Sequence, residues 1–281
     1  VLMELQSVSY TYQPGTVFAK SALHDISLQI QENEFLVITG QEGSGKSTLL
    51  LVMAGLIKPD QGQVLYRGQP LPGKGIHPHL GLVFQHPEQQ MFELTVGQEV
   101  AFGLENRGVT GKQLHSAVAG ALAAMGLDPG RYQNRRIREL STGEKRRVAI
   151  ASILAMQPRV LLMDEPLAGL DFSGCRQLLD NLQQLRRSQS TTIIMVTHHI
   201  EPVYPFCTRV VQLKEGKING IIRSEQSEPA ENLEEMTLPV HVQLLHHLQK
   251  IKPELPASTS TAEEAAAVIA EHWEIGEAGS H

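Results

Sequence analysis

The chain has 281 residues, 41% of them hydrophobic and 19% charged, a globular balance that excludes a wholly disordered chain and leaves room for one large domain with a small appendage. The formal net charge of −6 argues against a nucleic-acid partner, which usually leaves a basic footprint. The two cysteines, Cys175 and Cys207, form no CxxC pair and exclude a disulfide framework, and the pairs His77/His79, His198/His199 and His246/His247 lack zinc-ligand spacing.

The N-terminal stretch VLMELQSVSY has neither a basic region nor an apolar run of signal length. Val1 to Ser9 and Ala22 to Ile30 alternate as half-exposed strands do, and so does Gln63 to Tyr66, which predicts a small antiparallel sheet. Phe35 to Thr39 reads as a strand buried on both faces and ends at a glycine-rich loop. A helix is predicted from Ser47 to Ile57. The apolar run Leu49 to Ile57, broken by Gly55, is far shorter than the roughly 20 residues of a spanning helix, so the chain is expected to cross no membrane by itself. Gly81 to Phe84 is strand-like. His86 to Leu140 looks mostly helical, with helical spacing over Lys112 to Met125. A further helix over Gly143 to Met156 brings the predicted helical subdomain to about 86–155. Val160 to Met163 and Thr192 to Thr197 are two more buried strands, ending at two acids and at two histidines, with an amphipathic helix over Arg176 to Arg187 between them. Beyond Gly216 the composition shifts. Ser224 to Glu235 is acidic and polar, Leu238 to Ile251 and Ala262 to Ala270 look helical, and Pro253 to Thr261 reads as a linker. The expected division is a main domain over 1–222 and a partly helical extension over 223–281.

Chemistry gathers where the predicted strands end, as it does in open α/β sheets. Gly40-Gln41-Glu42-Gly43-Ser44-Gly45-Lys46-Ser47-Thr48 fits GxxxxGK[ST] between a strand and a helix, the context that makes this phosphate-binding pattern specific. Gly43 and Gly45 let backbone N–H groups turn onto phosphate oxygens, and the helix that follows adds its N-terminal partial charge. In such loops the lysine, here Lys46, reaches the β- and γ-phosphates of ATP, and Ser47 supplies an oxygen to Mg²⁺. Glu42 departs from this logic by placing a carboxylate in an anion site, and is expected to point outward. Asp164, at the end of its strand, can hold Mg²⁺ through water, and Glu165 can orient and deprotonate the attacking water.

Leu140-Ser141-Thr142-Gly143-Glu144 then makes the family specific. With the two preceding motifs it resembles the signature sequence of ATP-binding cassette (ABC) proteins, usually LSGGQ or LSGGE. The resemblance runs from about Leu5 to Gly216. It implies an α/β fold: a P-loop NTPase core with a parallel sheet, a small antiparallel β subdomain, a helical subdomain carrying the signature, and a C-terminal extension. It also implies that Tyr12 stacks on adenine, that Gln85 meets Mg²⁺ and senses a membrane partner, and that Asp171, in Ala168-Gly-Leu-Asp171, lies in the loop crossing to a second subunit. His198 matches the switch histidine on the γ-phosphate. Thr142 stands where the usual signature has its first glycine, which is expected to weaken that contact while Ser141 and Gly143 keep it.

A narrower resemblance rests on Phe84-Gln-His-Pro-Glu-Gln-Gln-Met-Phe92, Val100-Ala-Phe-Gly, the signature with Lys145-Arg-Arg-Val-Ala-Ile-Ala-Ser152, and Asp164-Glu-Pro-Leu-Ala-Gly-Leu-Asp171. Together these are similar to the ATPase subunits of energy-coupling factor (ECF) transporters, importers of vitamins and of nickel or cobalt ions. Leu238-Pro-Val240, Leu244, Leu248 and Thr261-Ala-Glu-Glu-Ala265 resemble the C-terminal extension of those subunits. The family implies two stacked ATPase subunits, alike or different, with Lys46, Ser47, Gln85, Asp164, Glu165 and His198 serving one site and Ser141 and Gly143 completing the other. It further implies a transmembrane scaffold, a substrate-capture membrane subunit, and a peripheral position on the cytoplasmic face of the cell membrane. Two alternatives stay open at this point: a soluble ABC ATPase without a transporter, and a P-loop phosphotransferase.

Overall fold

The structure, a computed structural model, describes residues 1–73, 75–223, 238–256, 258–259 and 261–272. The chain opens with β1 (Met3–Tyr12), β2 (Lys20–Ile30) and β3 (Phe35–Thr39), followed by α1 (Lys46–Met53). Next come β4 (Gln61–Tyr66), β5 (Gln69–Pro70) and β6 (Leu80–Val83), then the helical region α2 (Val96–Glu105), α3 (Gly111–Ala124), α4 (Pro129–Tyr132) and α5 (Thr142–Ala155). The chain re-enters the sheet with β7 (Val160–Asp164), α6 (Phe172–Gln189) and β8 (Thr192–Val196), and closes it with β9 (Arg209–Lys214) and β10 (Lys217–Arg223). Two helices follow, α7 (Val240–Gln249) and α8 (Ala262–His272).

The strands form two sheets. The predicted antiparallel sheet is present, in the order β2-β1-β4-β5. The larger sheet runs β10-β9-β3-β8-β7-β6, with β9, β3, β8, β7 and β6 mutually parallel and β10 an antiparallel edge. Its central strands are buried on both faces, and their side chains alternate between two cores. Phe35, Val37, Leu161, Met163, Ile193 and Met195 face the core built with α2, α3, α5 and α6. Leu36, Ile38, Val160, Leu162, Ile194 and Val196 face the core shared with α1 and the antiparallel sheet. The period-2 alternation of strand side chains thus welds one sheet to two layers, and unbroken apolar runs are what such a strand needs.

Local backbone chemistry corrects one sequence expectation and adds one element. The helix expected to reach Ile57 ends at Met53, because Gly55 takes a left-handed φ of +78° and the N–H groups of Leu56 and Ile57 turn back to the Leu51 carbonyl. The hairpin β9–β10 was not anticipated. Glu215 and Gly216 both adopt positive φ, 50° and 75°, the two-residue turn that joins twisted antiparallel strands. The acidic stretch Ser224 to Glu235 lies outside the described residues. Among the described residues no helix is long and apolar enough to cross a membrane.

Candidate active site

Parallel pairing decides where the chemistry lies. Ile38 pairs with Val196, Val196 with Asp164, and Val83 with Met163, so β3, β8, β7 and β6 end on one edge of the sheet. Gly40, His198, Glu165 and Gln85 therefore emerge side by side, although β7 and β8 lie far beyond β3 in the chain, starting at Val160 and Thr192.

The loop after β3 has the backbone that its glycines permit. Gly40, Gly43 and Gly45 take φ values of 144°, 76° and 99°. A Cβ at Gly45 would lie 2.5 Å from the Ala22 carbonyl oxygen and one at Gly40 would lie 2.2 Å from that of Leu213, so both positions are closed to other residues by space as well as by φ. Gly45 is the N-cap of α1 and supplies no side-chain hydrogen bond, and the first turn carries no acid. The N–H groups there stay available to an anion. The Ser44 hydroxyl is buried with no hydrogen-bond partner among the described residues. Gly45→Ala is expected to lower unfolding free energy by about 1–3 kcal/mol in denaturant titration, the cost of forcing a left-handed, crowded position.

Lys46 is buried, and its ammonium donates to the carbonyls of Gly40 at 2.8 Å and Gln41 at 2.9 Å. Burial pushes its pKa down, against the opposing fields of Glu165, Asp164 and Glu42. Gln41, Glu42 and Gly43 are exposed, so the Glu42 carboxylate points outward as expected. Burial pushes the Asp164 carboxyl up, a hydrogen bond from Ser47 pulls it down, Glu165 adds to the rise and Lys46 opposes it. Thr48, on α1, shares a 3.1 Å hydrogen bond with the Tyr12 hydroxyl, which places that half-buried ring at the end of β1 beside the loop. Tyr10 packs edge-on against it with ring centroids 4.9 Å apart.

Glu165 is 8% exposed and sits at a φ of +46°, a strained value for a residue with a side chain. Its N–H extends the ladder to the Val196 carbonyl. Its carboxylate accepts from the Thr197 hydroxyl at 3.1 Å and the His198 N–H at 3.0 Å, with His198 Nδ1 2.7 Å away. The His198 ring is half-exposed and stacks on His199 at 3.9 Å between centroids. Thr197 is fully buried, and sequence reasoning missed it as a site residue; its place between a buried strand and His198 was the available signal. Gln85 is exposed, just past β6.

Ser141 and Gly143 stand apart from this cluster, at the start of α5. Ser141 is the N-cap and forms a reciprocal capping box with Glu144. Thr142 does not have a positive φ, so its Cβ introduces no backbone strain in this chain. Asp171 caps α6 by accepting from the Gly174 N–H at 2.7 Å.

Comparison with known proteins identifies the family and the fold. A family model described as ABC transporter matches residues 23–168. The energy-coupling factor transporter ATP-binding protein EcfA2 of Symbiobacterium thermophilum is 39% identical over 272 residues, 94% of each chain. Among solved structures, cbiO1 from Clostridium perfringens, part of the ABC transporter complex cbiONQ, superposes with a TM-score of 0.73 at 32% identity, covering 91% of this chain and 96% of that one. A dimeric post-hydrolysis state of the ATP-binding cassette MJ0796, bound to ADP and Pi, gives a TM-score of 0.69 at 28% identity, covering 79% of this chain and 98% of that one. This chain belongs to the ABC transporter family, as an ATP-hydrolysing cassette whose relatives include the ATP-binding proteins of energy-coupling factor transporters.

Proposed function

We propose that this chain is the ATP-driven motor of an energy-coupling factor importer, taking up a vitamin or a transition-metal ion. The convergence of Lys46, Ser47, Asp164, Glu165, His198 and Gln85 on one sheet edge carries the ATPase part of this reading, and the likeness to energy-coupling factor ATP-binding proteins supports the importer. An arriving triphosphate offers Lys46 anionic oxygens in place of the two carbonyls it now holds. The N–H groups of Gly43 to Ser47 take the remaining phosphate oxygens, that of Ser44 giving up the Gln41 carbonyl it now holds, and Tyr12 offers its ring to adenine.

The donors around Ser47 fit Mg²⁺. They are hard oxygens, burial holds the Asp164 carboxyl above its usual pKa even with Lys46 nearby, and one or two protein ligands beside substrate phosphates are what this ion usually takes. Ser47, Asp164 and Gln85 would hold it, and it would neutralise charge on the β- and γ-phosphoryl oxygens. Water attacks the γ-phosphorus and gives its proton to Glu165 while the bond to the bridging oxygen breaks, leaving ADP and phosphate. Thr197 and the His198 N–H hold the Glu165 carboxylate in place.

The second subunit supplies Ser141 and Gly143 at the far side of the γ-phosphate, so ATP closes the dimer and hydrolysis opens it. In this reading residues 1–222 are the ATPase domain and 223–281 an extension. Exposed Phe92, Leu94 and Phe102 lie on the segment following Gln85, with Phe92 edge-on to Phe102 at 4.6 Å. They form the apolar face offered to a transmembrane scaffold on the cytoplasmic side of the cell membrane, where a separate membrane subunit captures the substrate.

Mild-detergent purification of this protein from native membranes, with mass spectrometry of what accompanies it, tests the reading. A multi-spanning scaffold, a second ATPase or second copy, and a small membrane protein are expected. Recovery with soluble or ribosomal partners alone would leave the ATPase standing and remove the transporter.

A further inference from the structure

Arg146 received no role from the motifs, yet it is the largest of the fully buried side chains, 1% exposed on α5. From α5 its guanidinium meets two other segments. Nε and Nη2 donate to the two Glu88 carboxylate oxygens at 3.2 and 3.0 Å. Nη1 donates to the Pro166 carbonyl at 3.2 Å and also to the Ala168 carbonyl. Glu88 lies in the short helical turn Pro87–Gln90, three residues beyond Gln85. Pro166 and Ala168 lie between Glu165 and Asp171. Burial works against the ionised Glu88, but the hydrogen bond from Arg146, with further help from the turn's backbone and His86, holds its pKa below the usual carboxylate range.

A buried ion pair is weak evidence for stability, because well-packed apolar replacements are often as stable or more so. What a guanidinium supplies that an apolar pair cannot is fixed planar geometry, with several donors committed at once. Here those donors span the segment after Gln85, the helix that begins with Ser141 and Gly143, and the loop joining Glu165 to Asp171. We propose that Arg146 is a positioning residue for hydrolysis, clamping the Glu165–Asp171 loop to the Gln85 segment so that displacement of either is transmitted to the other and to the signature helix. The proposal rests on the reading of Glu165 and Gln85 as site residues.

The test uses the protein purified with the subunits that accompany it. Arg146→Lys keeps the charge and loses the fork. The double variant Arg146→Met/Glu88→Leu removes the ion pair and keeps the volume. Steady-state ATP hydrolysis and the thermal midpoint are measured for each, with Glu165→Gln run alongside. A clamp acts on the transition state and not on ground-state binding, so kcat is expected to fall at least about 10-fold with KM within about 2-fold. The thermal midpoint of the apolar double variant should stay at or above that of the wild type. Wild-type kcat in either folded variant overturns the clamp, since a merely structural pair is replaced by good packing. If Glu165→Gln hydrolyses normally, the site reading falls. If it is inactive while the Arg146 variants turn over normally, only the clamp falls.

Discussion

Glu165→Gln is expected to bind ATP within about 3-fold of the wild type and to lose about 10²–10⁴-fold in kcat, the range a positioned general base contributes. The substitution keeps the shape of a side chain that is 8% exposed and keeps an oxygen for the Thr197 hydroxyl or the His198 N–H. It removes the second acceptor and the basicity. Nothing that holds the phosphates is touched, because Lys46 and the loop amides belong to the strand two places away in the sheet. Calorimetric titration with ATP and phosphate-release kinetics on the same preparation separate the two effects. Turnover near wild type would take the base role from Glu165. The left-handed φ of 46° at this residue bears on the same point. Glutamate there costs backbone energy, and the arrangement persists because Val196, Thr197 and His198 together over-determine it.

Lys46→Ala is expected to weaken ATP binding by about 10- to 100-fold, the worth of charge-assisted hydrogen bonds at roughly 1.5–3 kcal/mol. Unchanged affinity by calorimetry would refute the phosphate-loop assignment. Stability should move differently. Burial lowers the Lys46 pKa below its unfolded value, so the charged form favours the unfolded chain; this penalty is fully present below the folded pKa, shrinks as pH rises past it, and is gone above the unfolded pKa. Removing the ammonium relieves that penalty, although Asp164 and Glu165 lose a nearby cation and two carbonyls lose a donor. The more conservative Lys46→Met, which fills the same space, should therefore bind ATP weakly while melting close to the wild type without nucleotide. A charge that costs the empty protein and is compensated by a polyanion marks a site built for its ligand rather than for the fold.

What the sequence by itself determined about this protein was local. The phosphate loop is nine contiguous residues whose glycines alone can adopt φ values of 76° to 144°, set between a strand and a helix, so the letters carry their own geometry. The buried strands announced themselves as unbroken apolar runs, and Ser141 with Glu144 spells a capping box three residues apart. The end of α1 at Gly55 and the β9–β10 turn at Glu215-Gly216 were also locally written, but their signals were weaker than the apolar runs beside them.

Only the tertiary structure decided which distant groups meet. Glu165 finds Thr197 and His198 because β7 and β8 pair in a register that sets Asp164 opposite Val196. Tyr12 reaches Thr48 because the antiparallel sheet and α1 share one core. Arg146 joins Glu88 to the Pro166 and Ala168 carbonyls across 58, 20 and 22 residues of chain, and no spacing rule anticipates that. Short-range motifs depend on the conformational preferences of a few residues. Long-range partnerships depend on register and on packing summed over two whole cores, where many weak contacts decide together and no single residue carries the signal.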